Sequence, residues 1–197
     1  MQTFLISDLH FGQASMLKFT RFDGKQLRKF DCVEEMDEHI IDNINAVVGP
    51  KDRLYILGDV AMKRSSLAQL GRLNGRKVLI KGNHDIYNLS DYIKYFDDIR
   101  GSHKLGNYIL SHIPIHGQSV ARWCEGNIHG HLHYNWVGAS YNDTRPGDVA
   151  DLRYFNVGCE LLRYKPIEFS ELQNFHAKLK EHVFNIKTVC TALELSR

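Results

Sequence analysis

The sequence predicts an α/β fold from three observations. Strand-like and helix-like hydrophobic periods alternate along the chain. Five short apolar runs each deliver a carboxylate, an amide or an imidazole just past their carboxyl end. The length, 197 residues with 43% hydrophobic, suits one domain with a sizeable core.

Residues 2–7, QTFLIS, read as a first strand. Residues 32–48 read as a helix, because Met36, Ile40, Ile44 and Val47 fall on one face. Asp31 with Glu34 resembles a capping arrangement at its start, and Gly49-Pro50 stops it. Residues 53–57 make a second strand, 65–73 a short helix closed by Asn74-Gly75, and 77–80 a third strand. Residues 107–111 and 126–128 are further strands, 142–148 a loop, and 153–158 a late strand. Ser170 with Gln173 reads as a capping box opening a helix to about His182. The domain is therefore expected over 1–182. Residues 183–197 form an extension in which Val183, Ile186, Val189 and Leu193 line one helical face.

Composition excludes several classes of function. A formal net charge of +2 makes no strong electrostatic claim on nucleic acid or on a membrane, and it neither requires nor forbids a nucleic-acid partner. No basic segment leads into a long apolar run, so neither a signal peptide nor a membrane span is expected. Cys32, Cys124, Cys159 and Cys190 lie far apart and form no C-x-x-C pair. The expectation is a reduced, cytoplasmic protein without a disulfide framework or thiolate zinc site.

The 11 histidines are many for this length, and most are clustered. FLIS runs into Asp8 and His10, LYIL into Gly58-Asp59, and VLIK into Gly82-Asn83-His84-Asp85. YILS runs into His112, and GNI into His129, His131 and His133. In open α/β sheets the carboxyl edge is where ligands bind. Asp8/His10 and His131/His133 are i, i+2 pairs, so in extended backbone both members point to one side. Singly, D-L-H or G-D is ordinary turn chemistry. Three histidines at alternate positions are not packing residues, and five such ends in order leave little room for coincidence. Asp8, His10, Asp59, Asn83, His112, His131 and His133 make seven oxygen and imidazole donors. That mixture suits Mn, Fe, Ni, Co or Zn. Seven exceed one structural zinc site of about four ligands, but match two metals sharing a carboxylate. Asp59, alone after its strand, is the natural bridge.

These residues resemble the calcineurin-like metallophosphoesterases, in a small bacterial or phage branch. The blocks that carry the likeness are Asp8-Leu9-His10, Gly58-Asp59, Gly82-Asn83-His84-Asp85, Ser111-His112 and Gly130-His131-Leu132-His133, with NVGCE at 156–160 as a closing segment. The resemblance implies two packed β-sheets flanked by helices, a four-layer αββα arrangement. It implies one metal on Asp8, His10, Asp59 and His133, and a second on Asp59, Asn83, His112 and His131. Manganese is the first expectation. It implies that a metal-bridging hydroxide attacks phosphorus, that His84 faces the substrate phosphate and leaving group, and that Asp85 orients His84.

The chain also departs from known branches. Gly58-Asp59 continues as Val60-Ala61-Met62-Lys63-Arg64, and the third block ends in aspartate. Protein phosphatases of the superfamily usually carry G-D-x-x-D-R-G and G-N-H-E, so a phosphoprotein substrate is disfavoured. Lipid A pathway hydrolases carry arginine where His84 stands. The H-x-H-x-D-H signature of metallo-β-lactamases is absent, since HGHLHYN lacks its aspartate. The expected activity is thus a metal-dependent phosphodiesterase or phosphatase on small nucleotide-type substrates; the alternatives are a metal-bearing scaffold of the same fold with little turnover, or a protein phosphatase. Residues 18–31 hold Lys18, Arg21, Lys25, Arg28 and Lys29 among Phe19, Phe22 and Phe30, which reads either as a basic and aromatic rim for a phosphate and a base or, favoured for any single residue, as a solvated loop pinned by its phenylalanines. Arg21 and Arg122 are the candidate substrate contacts.

Overall fold

A computed structural model describes residues 1–120, 124–138 and 150–180. In chain order the elements are β1 (Thr3–Ile6), α1 (Val33–Asn45), β2 (Arg53–Ile56), β3 (Arg76–Ile80), α2 (Leu89–Tyr92), β4 (Asp98–Arg100), β5 (Ser102–Leu105), β6 (Tyr108–Ser111), β7 (Gly126–His129), β8 (Tyr154–Asn156) and β9 (Ile167–Glu168). A helix, α3, follows over 169–180. The first sheet has the order β4-β3-β2-β1-β9, with β1 to β4 parallel and β9 antiparallel to β1. The second has the order β5-β6-β7-β8, with β6 to β8 parallel and β5 antiparallel to β6. These two mixed sheets, flanked by helices, are the α/β architecture expected.

Alternation along the strands builds two cores. Phe4, Ile6, Leu54, Ile56 and Leu79 face α1 and the 3₁₀ segment Arg64–Arg72. Leu5, Tyr55, Val78 and Ile80 face Tyr108, Leu110, Ile128 and Phe155 of the second sheet. Strands covered on both sides read as continuous apolar runs, as FLI and VLI do. Leu172 of α3 joins the inter-sheet core. In α1, Met36, Ile40 and Ile44 are fully buried, each burial contributing about 1.5–3 kcal/mol.

Several local readings are corrected. The residue capping α1 is Cys32, with no side-chain bond. Glu35, not Glu34, reaches back to accept the Asp31 N–H at 2.8 Å. Val47 is only half-buried, and Val48 takes the core position. Ser170 lies inside α3, and its hydroxyl donates to Glu168 Oε1 at 2.7 Å instead of capping. The predicted loop 142–148 and the extension 183–197 lie outside the described residues. Among the described residues no helix is long and apolar enough to cross a membrane.

Candidate metal centre

The carboxyl ends of β1, β2, β3, β6 and β7 point to one place. The chain carries its pairing past the strand ends: Asp8 N–H donates to Gly58 O, His10 N–H to Asp59 O, and Gly130 N–H to His112 O. Ser7 stitches the two sheets together, donating to Val157 O at 2.9 Å and accepting from Cys159 N–H at 3.0 Å. The predicted residues therefore converge from both sheets.

Two groups form. Asp8, His10 and His133 bring one ligand atom each within 4.8 Å of one another, and so do Asp59, His112 and His131. Each group can hold a metal ion. Asp59 lies between them: its Oδ2 is 3.8 Å from His10 Nε2 and 3.3 Å from His112 Nε2. Asn83 Oδ1 stands 2.9 Å from His112 Nε2, beside the second group. All seven predicted metal residues are thus brought together.

The donors fit divalent cations. Both ring nitrogens of His10 are buried without a hydrogen-bond partner, a costly state for a polar group unless something fills the space between them and the carboxylates. His112 Nδ1–H donates to Leu57 O at 2.7 Å, and His133 Nδ1–H to Glu160 Oε1 at 3.0 Å, which turns each Nε2 toward the cluster. Burial pushes the Asp8 carboxyl up to about 6, although His133 and His112 oppose it. Burial, with Arg28 and His133, pushes His10 down to about 3. A bound cation reverses both penalties, by favouring the carboxylate and the neutral imidazole.

The backbone at the site is unusual. Asp8, His10, Asp59, His131 and His133 all have φ between 50° and 69°, where side chains other than glycine are uncommon. Their surroundings hold them there. His131 N–H donates to both Asp8 oxygens at 3.1 and 3.0 Å, and the Ser7 hydroxyl donates to Asp8 Oδ2. Gly58, at φ 85°, leaves no room for a Cβ, which would lie 2.6 Å from both Gly82 and His112 Nδ1.

His84 is exposed at the lip, its ring 5.8 Å from that of His10 and its N–H donating to Asp59 Oδ1 at 2.9 Å. Asp85 does not orient His84. Its carboxylate accepts from the N–H groups of Gly82, Asp59 and Val60 at 2.8–3.0 Å, so it shapes the turn that carries Asn83 and His84. Arg28 is not a rim residue. It is fully buried, pairs with Glu160 Oε1 at 2.7 Å, and donates to Leu9 O, Asp8 O and Cys159 Sγ. Sequence reasoning missed Glu160 as the acid linking Arg28 to His133; NVGCE was its only trace. Burial would raise the Glu160 carboxyl, but Arg28 and His133 push it down to about 2. Arg21 pairs with Asp23 at 3.0 Å and lies 3.3 Å over the Tyr134 ring, next to His133. Phe22 meets Trp136 edge to face at 6.0 Å. Arg122 lies outside the described residues. His129, the extra histidine of HGHLH, is buried and bonds Gly130 O through Nδ1.

No protein-family model matches the chain. An uncharacterized protein of Methanocaldococcus jannaschii is 31% identical over 170 residues, which cover 83% of this chain and 85% of that protein. The gene 66 protein of Mycobacterium phage L5 is 34% identical over 88 residues, 42% of this chain and 39% of its own. A protein of unknown function from Aquifex aeolicus superposes with TM-score 0.61 at 28% identity, covering 88% of this chain and 98% of that one. The structure of an archaeal phosphodiesterase aligns with TM-score 0.44 at 15% identity, covering 86% of this chain and 99% of that one. On the extent of the first match, this chain belongs to the same family as the Methanocaldococcus jannaschii protein.

Proposed function

We propose that the chain is a metal-dependent phosphoesterase with a dinuclear centre, acting on small nucleotide-type phosphodiesters or monoesters. One observation carries the reading: two adjacent aspartate-histidine groups meet at Asp59 Oδ2, with the His10 ring buried between carboxylates and otherwise unpartnered. Asp8, His10 and His133 would hold one ion and Asn83, His112 and His131 the other, with Asp59 shared. Two divalent cations bound there, manganese first among them, would supply Lewis acidity to acidify water and offset the charge of a phosphate.

The chain's own groups do the rest. His84 stands exposed beside His10, where an imidazole can pass a proton to a departing oxygen. Asp85 holds the backbone that presents it. Arg21 braced on Tyr134, with Phe22 against Trp136, supports an aromatic and cationic rim beside His133 for the organic part of the substrate. Arg122 belongs to the same proposal.

The test is hydrolysis of bis- and mono-p-nitrophenyl phosphate by the purified chain, with bound metal measured alongside. Metal-dependent release from either ester is expected. Two bound ions without turnover would instead identify a scaffold.

A further inference from the structure

A second cluster of charge lies at the opposite end of the same strands. Arg53 and Arg76 are the first residues of β2 and β3, and they are direct partners in the parallel register. Period-two alternation puts them on the faces of Tyr55 and Val78, toward the space between the sheets. Like charges directly opposite one another on neighbouring strands are destabilising unless something lies between them. Neither guanidinium makes a side-chain hydrogen bond or ion pair with any described residue.

These residues line an open cleft of about 250 Å³, bounded by Arg100 at the end of β4 and His103 on β5, where the chain crosses between the sheets. The acids of the cleft are Asp97 and Asp98. Asp98 is occupied by Arg100, at 2.6 and 2.7 Å. His103 stacks on Tyr55 with ring centroids 5.5 Å apart and 16° between planes, which gives the cleft a flat wall. His103 Nδ1 faces an Arg100 N–H and accepts from it, so the donor it has left is Nε2–H.

We infer that this cleft is an anion site, built for a phosphate group or a small phosphomonoester bridged between Arg53 and Arg76 and flanked by His103. Neighbouring strands set the backbones of Arg53 and Arg76 about 4.8 Å apart, so that both long side chains can reach one tetrahedral anion. Burial, and then the nearby Arg100 and Arg53, hold the His103 imidazole below its usual range, consistent with cationic surroundings that Asp98 does not cancel. The site shares no residue with the metal centre and stands or falls apart from it.

The experiment is a titration of the full chain with inorganic phosphate, followed by NMR of the histidine ring protons, with chloride at matched ionic strength as control. His103 signals are expected to move saturably with phosphate and not with chloride. The double substitution Arg53→Gln/Arg76→Gln is expected to weaken that response about tenfold or more. Arg76 is exposed, so Arg76→Gln alone carries the test if the double variant does not fold. An unmoved His103, an equal response to chloride, or an unchanged midpoint in the variants would overturn the inference.

Discussion

At the scale of residues, five of the seven predicted ligands sit in left-handed backbone. For a side chain other than glycine this conformation costs roughly 1–2 kcal/mol. At His131, with φ 69°, glycine should therefore outperform alanine, the reverse of the order in a helix or strand. In the presence of chelator, His131→Gly is expected to be about 1 kcal/mol more stable than His131→Ala in denaturant unfolding. Equal stabilities would show that the surroundings do not enforce the angle. His84 is placed differently, since nothing in the fold depends on its exposed ring. His84→Ala should keep the metal content and lower turnover on a poor leaving group by about 10²–10⁴. Metal loss with unchanged activity per bound ion would count against its role. Glu160 balances Arg28 in the buried interior. Glu160→Gln leaves that guanidinium without its acid, so a loss of about 3–5 kcal/mol is expected in urea unfolding. The seven predicted ligands were legible because each follows an apolar run by a fixed few residues. The Arg28–Glu160 pair was not, because its partners lie 132 positions apart and Arg28 sits among other basic residues with nothing local to mark it as buried.

At the scale of elements, the strands with apolar runs announced themselves, the edge strand β8 among them, whereas the edge strands β4, β5 and β9 did not. β4 reads DIR, β5 reads SHKL, and β9 has only two residues. These three edge strands carry charge and lack a continuous apolar run, so periodicity has little to register in them. The helix read from Ser170 onward is present as α3 as far as the described residues go, docked by Leu172 and by a polar contact that the sequence did not announce. His176 is buried against Phe155, and its Nδ1 stands 2.7 Å from the Tyr108 hydroxyl. Burial, and then Lys180, hold its imidazole below the ordinary 6.5, while Glu125 at 3.8 Å opposes them. The unfolded chain therefore binds the proton more readily than the folded one. This contribution to stability is complete above about 6.5 and is lost as pH falls below it. Wild type should lose more stability than His176→Gln on acidification through that range, as read from urea midpoints. Parallel curves would exclude the contribution.

At the scale of the whole molecule, the candidate ligands come from both sheets. Asp8, His10, Asp59 and Asn83 follow β1, β2 and β3, whereas His112, His131 and His133 follow β6 and β7. Ions held there would tie the sheets together, in addition to the apolar contacts of Leu5, Tyr55 and Ile80 with Leu110, Ile128 and Phe155. Chelation should lower the thermal midpoint. Readdition to about 100 times the dissociation constant should restore about 2.7 kcal/mol per site. A midpoint indifferent to metal would mean that the centre takes no part in stability.

The stitch at Ser7 makes the candidate centre depend on both sheets being docked. Neither sheet alone holds all seven candidate ligands, and Asp8 accepts from His131 N–H directly beside the bridge between Ser7 and Gly158. If the proposed centre binds metal with its full ligand set, occupancy would be a census of molecules whose two halves have met, since the loaded fraction would follow the docked fraction.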